Sequence, residues 1–171
     1  MDHDAKLKQL LSDLTICATN YEKLLNISIC LESNQFVKQK TYIAKFHKDN
    51  FLHLTGVKTS VSACDFFEKC LAKNIQKNDI KNFAVEYKSK IAGKITGLKT
   101  INKYFNSELY VQEDFNKNKV NCNIATSDNC FTIGFVLVGK ILLPKTILNK
   151  NKLDKSKPIL TIKPKTIQLK E

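Results

Sequence analysis

The spacing of the apolar residues changes near residue 107, and this change restricts the folds that the chain can adopt. Before this point, outside a hairpin at 27–46, apolar residues recur every three or four positions, as on one face of a helix. After it, they occur in short alternating runs separated by polar turns. Helices followed by a meander of strands predict an α+β fold, in which helices pack on one face of an antiparallel sheet. At 171 residues the chain is long enough for one full hydrophobic core, so we expect a single domain over residues 1–171.

The first part of the chain carries the signals of an N-terminal helix, a β-hairpin and two further helices. Ser62 followed by Asp65 is typical of a capped helix start. The predicted elements are a helix at about 5–25, a hairpin at 27–46, a helix from 63 to about 75 and a helix at about 90–105. The last helix has a polar side formed by Lys90, Lys94, Lys99 and Lys103. That side is either a solvated helix face or a track for phosphates.

The second part of the chain predicts short strands joined by Asn-, Lys- and Ser-rich turns. The expected strands are 109–115, 120–125, 131–138, 140–143 and 158–162, with a polar loop at 149–157. In this interpretation Lys145 and Thr146 follow the end of a strand, directly after Pro144.

The segment from Phe46 to Thr59 is the strongest candidate for a functional site. It contains two of the three histidines, His47 and His53, together with two lysines and two threonine hydroxyls beside Gly56. Histidine exchanges protons near neutral pH, and lysine is a fixed positive charge for a phosphate. The alternative is a turn of helix that buries Phe51 and Leu54, in which His53 only anchors the following glycine turn.

The charge of the chain suits a polyanionic partner but does not establish one. All 28 basic residues are lysines, and the formal net charge is +12. The same bias towards lysine, asparagine and isoleucine is expected of any protein encoded by a very AT-rich genome. Without arginine, sequence recognition in a nucleic acid would have to use Asn, Gln, Lys or main-chain groups.

Cysteine spacing and hydropathy exclude several other classes of protein. The six cysteines form no Cys-x-x-Cys pair and no zinc-knuckle spacing, so we expect free thiols and no metal site. No apolar run reaches the 18 residues of a membrane span, and no secretion signal is visible, so we expect a cytoplasmic protein without a membrane partner. The sequence contains no glycine-rich phosphate loop and no other cofactor motif, and we expect no cofactor.

Three motifs, in order, resemble the phage-associated branch of the Barnase–EndoU–ColicinE5/D–RelE-like (BECR) nucleases. They are Lys48-Asp49-Asn50-Phe51-Leu52-His53-Leu54-Thr55-Gly56-Val57, Phe66-Phe67-Glu68-Lys69-Cys70-Leu71 and Leu143-Pro144-Lys145-Thr146-Ile147-Leu148. The resemblance covers about residues 35–165, with the N-terminal helix packed on that region. It implies a small α+β domain with an antiparallel sheet and an RNA-cleaving activity, in the cytoplasm of a host cell if the protein is phage-encoded.

Cleavage of RNA without a metal needs an acid or base and groups that stabilise the phosphate. We assign His53 as the acid or base. Lys145 is assigned to stabilise the charge of the phosphate, and Thr55 and Thr146 to donate hydrogen bonds to phosphoryl oxygens. His47 and Lys58 are secondary candidates, as the partner acid or base and for substrate binding. These roles require His53 to lie near the segment Lys145-Thr146.

An alternative function stays open at this stage. The resemblance supplies one clear histidine and no second acid or base, so the chain is either a small metal-independent endoribonuclease, acting as an RNA-directed toxin of a phage or mobile element, or an inactive relative. An inactive relative would bind RNA or a host or phage protein, for example as an inhibitor of a host defence complex. The sequence predicts no oligomeric state.

Overall fold

Helices dominate the first part of the chain and strands the second, in a computed structural model that describes residues 2–117 and 119–169. The helices are α1 (His3–Glu22), α2 (Lys48–Thr55), α3 (Ala63–Leu71), α4 (Phe83–Glu86), α5 (Ala92–Leu98) and α6 (Ile101–Tyr104). A 3₁₀ turn at Lys77–Asp79 and a π-helical turn at Tyr87–Ile91 complete the helical part. The strands are β1 (Ile27–Glu32), β2 (Thr41–Lys45), β3 (Leu109–Lys117), β4 (Val120–Ser127), β5 (Phe131–Val138), β6 (Ile141–Asn149), β7 (Leu160–Ile162) and β8 (Lys165–Gln168).

The eight strands form one curled sheet in the order β7-β3-β4-β5-β6-β2-β1-β8. The predicted α+β class is confirmed. The prediction of a wholly antiparallel sheet is wrong at one place, because β2 pairs with β6 in parallel through Ile43 with Ile141 and Ala44 with Leu142. Through this pairing the first hairpin joins the meander at β6 instead of forming a separate sheet. The helices α2 to α6 lie between β2 and β3 along the chain.

An aromatic cluster holds α1, α2 and α3 together on the sheet. Tyr21 of α1 packs against Phe46, Phe51 and Phe67, with ring centroids 5.2–5.9 Å apart. Its hydroxyl donates a hydrogen bond of 2.7 Å to the main-chain oxygen of His47. Because these rings are almost fully buried, the cluster fixes the start of α2 relative to α1.

A second, smaller core lies on the opposite side of the sheet. Ala125 follows Ile124 of the main core, and successive strand residues face opposite sides. Ala125 packs there with Phe115, Cys122 and Leu153. The buried side chain of Gln112 secures the covering loop, since its amide donates to the oxygen of Asp154 at 2.7 Å and accepts from the nitrogen of Asp154 at 2.9 Å.

Strand β6 continues past Pro144, where the sequence predicted a strand end, so Lys145 and Thr146 lie within the strand. A proline is tolerated here because pairing with β2 stops at Leu142, which leaves that side of β6 as an edge. Beyond this point α2 and α5 pack along β6.

The other boundaries differ from the predictions in two main ways. The predicted helix at 90–105 begins earlier, at Phe83, and is divided into three helices by the π-helical turn and by a break at Lys99 and Thr100. Strand β8 was not predicted; it forms because residues 165–168 pair antiparallel with β1.

The predicted cap of α3 is confirmed, with Ser62 Oγ accepting from the nitrogen of Asp65 at 3.2 Å. None of the described helices combines the length and the apolar character needed to span a membrane.

Candidate functional site

An open groove of about 520 Å³ runs between α2 and the π-helical turn with α5. We call it the His53 groove. It is lined by Asp49, Leu52, His53, Gly56, Val57, Lys58, Thr59, Ala63, Lys90 and Lys94. The groove thus collects one histidine and three lysines from two separate parts of the chain.

Helix α2 presents His53 to the groove because the other side of the helix is buried. Phe51, Leu54 and Thr55 have no exposed surface. At about 100° per residue, His53 points away from these three residues, and Asp49 and Leu52 share its side of the helix. The interpretation of this segment as a helix that buries Phe51 and Leu54 is therefore correct, and the same packing leaves His53 exposed.

Two lysines lie close enough to His53 to affect its ionisation. Partial burial lowers the pKa of His53 below its usual value, and the positive charges of Lys94 and Lys145 lower it further. All three causes disfavour the imidazolium form. At neutral pH the ring is therefore mainly neutral, which is the form that accepts a proton.

Lys94 is half-buried on α5 and connects the groove to β6. Its ammonium group donates to Thr146 Oγ1 at 3.0 Å and to the main-chain oxygen of Ile147 at 2.9 Å. Burial lowers the pKa of Lys94. Among the residues that the structure describes, no carboxylate lies within 4 Å of this ammonium group. A half-buried positive charge without a carboxylate partner would gain stability from a bound anion.

Lys145 lies on a β-bulge outside the lining of the His53 groove, although its charge acts on His53. Gly134 pairs with Thr146 and Phe135 pairs with Pro144, so Lys145 is one extra residue on β6. Such an insertion changes the direction of the neighbouring side chains. The ammonium group of Lys145 donates to the main-chain oxygen of Asn121 at 3.0 Å, on β4.

Gly134 allows the strands on either side of β5 to bring their side chains together. A Cβ at Gly134 would lie 2.5 Å from Sγ of Cys122 and 3.1 Å from Cγ2 of Thr146. Side chains from β4 and β6 therefore meet over this glycine, where no other residue fits.

Gly56 sets the distance between the two sides of the His53 groove. It ends α2 in the left-handed conformation, with φ at +72°. A Cβ there would overlap the main-chain oxygen of Lys90 in the π-helical turn, and it would lie 3.1 Å from Cδ of Lys94. The chain that carries His53 therefore touches the chain that carries Lys94 directly, main chain against main chain.

The other two lysines of the groove share one carboxylate. Glu86 binds Lys90 at 2.6 Å and Lys58 at 3.4 Å. Hydrogen bonds from Lys90 and Asn82 lower the pKa of Glu86 to about 2. Lys58, a predicted substrate-binding residue, thus lines the groove but is partly neutralised by Glu86.

Two predicted site residues lie elsewhere. Thr55 has no exposed surface; its hydroxyl donates to the main-chain oxygen of Leu52 at 2.6 Å and accepts from the nitrogen of Val57 at 3.1 Å. It stabilises the end of α2 and cannot reach a phosphate, so its assignment to phosphoryl contact is corrected. His47 precedes α2, about 9 Å along the helix axis from His53 and on another side of the helix. It is exposed and does not line the groove.

Sequence reasoning placed Lys94 only on a lysine-rich helix face. The signal that could have identified it is the pair Gly93 and Gly97 on either side, because small residues let a helix approach a sheet closely. A Cβ at Gly97 would lie 3.0 Å from Cγ2 of Ile147, so α5 sits directly on β6. A lysine between two such glycines reaches the strand instead of solvent.

No group of three or more His, Cys, Asp or Glu side chains among residues 2–117 and 119–169 is arranged to hold a metal ion. The acid and base candidates of the groove are therefore His53 and the lysines, together with Asp49.

A comparison with protein families identifies the family of the chain. Residues 13–171 match the model of the family described as phage-Barnase-EndoU-ColicinE5/D-RelE like nuclease4. A search of curated proteins and a search of solved structures each found no significant match. The matched region includes every residue of the His53 groove as well as Lys145 and Thr146, and it extends further in both directions than the predicted range of about 35–165. The chain belongs to this family of phage-associated BECR-like nucleases.

Proposed function

We propose that the protein is a metal-independent endoribonuclease whose site consists of His53, Lys94, Lys145 and Thr146. The observation that carries the proposal is the position of Lys94, a half-buried ammonium group without a carboxylate partner in the described structure, whose charge acts on His53. A phosphodiester supplies the missing negative charge. The neutral histidine beside it then supplies the base.

In the first step, neutral His53 removes the proton from a ribose 2′-hydroxyl. The resulting oxyanion attacks the adjacent phosphorus and forms a 2′,3′-cyclic phosphate, while the bond to the 5′-oxygen breaks. The lowered pKa of His53 keeps the ring available for this step at neutral pH. A base that works in this way contributes about 10²–10⁴-fold to the rate.

Lys94 is placed to stabilise the phosphorane and to protonate the leaving 5′-oxygen. Its lowered pKa makes it a better proton donor than an ordinary lysine. Thr146, whose hydroxyl oxygen already accepts from Lys94, can donate its own proton to a phosphoryl oxygen. Lys145 adds a second positive charge from the bulge. Proton exchange with water returns His53 and Lys94 to their starting forms.

The test uses a single-stranded RNA of mixed sequence, with EDTA present. Wild-type protein should produce fragments that end in a 2′,3′-cyclic phosphate and a 5′-hydroxyl, and 2′-O-methylation at the cut site should block the reaction. His53→Ala should lose cleavage by about 10²-fold or more and stay folded, because the imidazole is exposed. His47→Ala is the matched control and should keep activity. Cleavage of the methylated RNA, or a need for a divalent ion, would contradict the mechanism.

If the substrate is cellular RNA, the protein acts as a toxin. Expression of the wild type in bacteria should then stop growth, and expression of His53→Ala should not. Equal growth with both proteins would exclude a toxic nuclease under those conditions.

One observation favours a second function, that of a binding protein without activity. His53 is the single histidine in the groove, because His47 lies at the other end of α2 and His3 stacks on Phe83 at 4.9 Å. If the lysines cannot supply the second proton transfer, the site binds a polyanion or a host protein of the defence machinery without cleaving RNA. Tight binding by the wild type, with no product at any pH and no effect of His53→Ala, would establish this alternative.

A further inference from the structure

A second cavity, of about 380 Å³, lies on β3 and β4, and its lining residue Asn121 contacts Lys145. We call it the asparagine pocket, because its lining includes Asn116, Asn121 and Asn123. The remaining lining residues are Asp114, Phe115, Cys122 and Lys157. The connection to the candidate site runs through Lys145, which donates a hydrogen bond to the main-chain oxygen of Asn121 and whose charge acts on His53.

Two polar side chains of the pocket, those of Asn123 and Lys157, are held by hydrogen bonds. Asn123 Oδ1 accepts from the nitrogen of Leu137 at 2.7 Å, so the orientation of this amide is fixed and its NH₂ group is left as a donor. Asn116 and Asn121 face each other across β3 and β4 as a strand pair. Lys157 donates to the main-chain oxygen of Asp114 at 3.3 Å, and the loop that carries it is anchored by the buried Gln112.

The chemistry of this lining matches a nucleobase. Asparagine offers a donor and an acceptor in one plane, which is the pattern that base edges present. The chain has no arginine, so amides are its main side chains for reading a base. Phe115 is buried, with 1% of its surface exposed, so the pocket recognises by hydrogen bonds and offers no stacking platform.

The charges around the pocket match the backbone of the same strand. Lys157 lines the pocket and Lys145 contacts its residue Asn121, while the carboxylate of Asp114 is paired with Lys38 at 2.7 Å. Lys145 therefore links the two regions, since its charge acts on His53 and its ammonium group contacts a residue of the asparagine pocket. The pocket volume is within the range of small-ligand sites.

We infer that the asparagine pocket binds one base of a single-stranded RNA next to the phosphate held by Lys145, and that it sets the base preference of the protein. This inference rests on the proposed function to the extent that the polyanion is RNA. It is separable from cleavage, because base recognition does not need His53.

The experiment measures binding on the His53→Ala background, so that the RNA stays intact. Four ten-nucleotide homopolymers of A, C, G and U are titrated at constant salt, with fluorescence anisotropy as the signal. One of them should bind about tenfold tighter than the weakest, which is the discrimination of one good base contact. Replacing both Asn116 and Asn121 by Ala should reduce this ratio to about twofold.

Two control variants separate base recognition from charge and from folding. Asn78→Ala changes an exposed asparagine in the 3₁₀ turn at Lys77–Asp79 and should keep the ratio. Lys157→Met should weaken binding to all four homopolymers by a similar factor. Asn116 and Asn121 are exposed, so the double variant should show the thermal unfolding of its parent.

The outcomes distinguish the two proposals. A base preference that disappears in the double variant supports the pocket, even if the wild type cleaves nothing. Cleavage by the wild type without base preference, or with a preference that the double variant retains, would overturn the pocket and leave the nuclease proposal standing. If the protein binds none of the four homopolymers, the pocket proposal is overturned as well.

Discussion

The His53 groove holds lysines in two different environments. Two of them have a carboxylate partner, and the third has none among the described residues. Lys58 and Lys90 are 68% and 57% exposed and share Glu86, whose pKa is lowered to about 2, so its charge is present across the physiological range. Lys94 is half-buried, and in the described structure its partners are a hydroxyl and a main-chain oxygen. The formal charge of the groove therefore overstates the positive charge that is free for a substrate.

The origin of the difference is local. Glu86, Lys90 and Lys94 follow one another at intervals of four residues, which would align them on one side of a regular helix. The π-helical turn at Tyr87–Ile91 wraps an extra residue into this run and changes its direction. Lys90 stays beside Glu86, whereas Lys94 reaches β6.

The largest expected effect comes from replacing one lysine of each kind by methionine. Lys94→Met should lower kcat/KM for RNA cleavage by about 10²-fold or more, because a preorganised charge at the phosphorane is lost. Lys90→Met should lower it by less than about threefold, because Glu86 already neutralises that charge. Thermal unfolding should show both variants folded, since methionine keeps the apolar stem of the side chain. Equal losses in the two variants would remove the distinction between the two lysine environments.

A second test follows the ionisation of His53 by NMR, with its signals identified by loss in His53→Ala. Positive neighbours disfavour the imidazolium form, so removing one of them must raise the pKa of His53. The pKa should lie below the ordinary value of 6.5 in the wild type and move up towards it in Lys94→Met. Lys145→Met should give a smaller rise in the same direction. Lys90→Met should leave the pKa of His53 unchanged. A larger change of this pKa in Lys90→Met than in Lys94→Met would show that Lys94 is not the main positive neighbour of His53.

Glu86→Gln should convert the neutralised lysines into free ones. Lys58 and Lys90 would then be available to phosphates, so RNA affinity at low salt should rise by several-fold. The rise should shrink as salt increases, because the contacts are exposed. The control is Glu68→Gln, which removes the partner of Lys48 at 2.5 Å on α3, outside the groove. An equal gain in both variants would show that only net charge matters.

The smallest expected effect is a change in salt dependence. For a single strand, each phosphate contact contributes about 0.7 to the slope of log K against log salt. Lys145→Met should reduce the slope by about that amount, and Lys58→Met should change it by a smaller fraction. A slope that falls more for Lys58→Met than for Lys145→Met would place the bound RNA on the Glu86 side of the groove.

The sequence allowed the exposed histidine to be predicted but not the buried lysine. His53 stands in a short segment whose apolar residues define which side is buried, so local spacing is sufficient. The positions of Lys94 and Lys145 depend on one irregular turn and two strand pairings: the π-helical turn, the bulge opposite Gly134 and the parallel pairing of β2 with β6. None of them is encoded in the spacing of neighbouring residues. Thr55 failed as a site residue for a related reason, because only the packing of α2 showed that its hydroxyl was already used.

The main-chain contact between Gly56 and Lys90 has a consequence for sequence divergence. The gap between His53 and Lys94 is set by two stretches of backbone, so most side chains around the groove can change through mutation while the spacing of the site persists. The exception is Gly56 itself. A left-handed residue with a side chain costs about 1–2 kcal/mol, and the added carbon would push the two backbones apart. Substitutions elsewhere around the groove can therefore leave the spacing of His53 and Lys94 intact, whereas a substitution at Gly56 would change it.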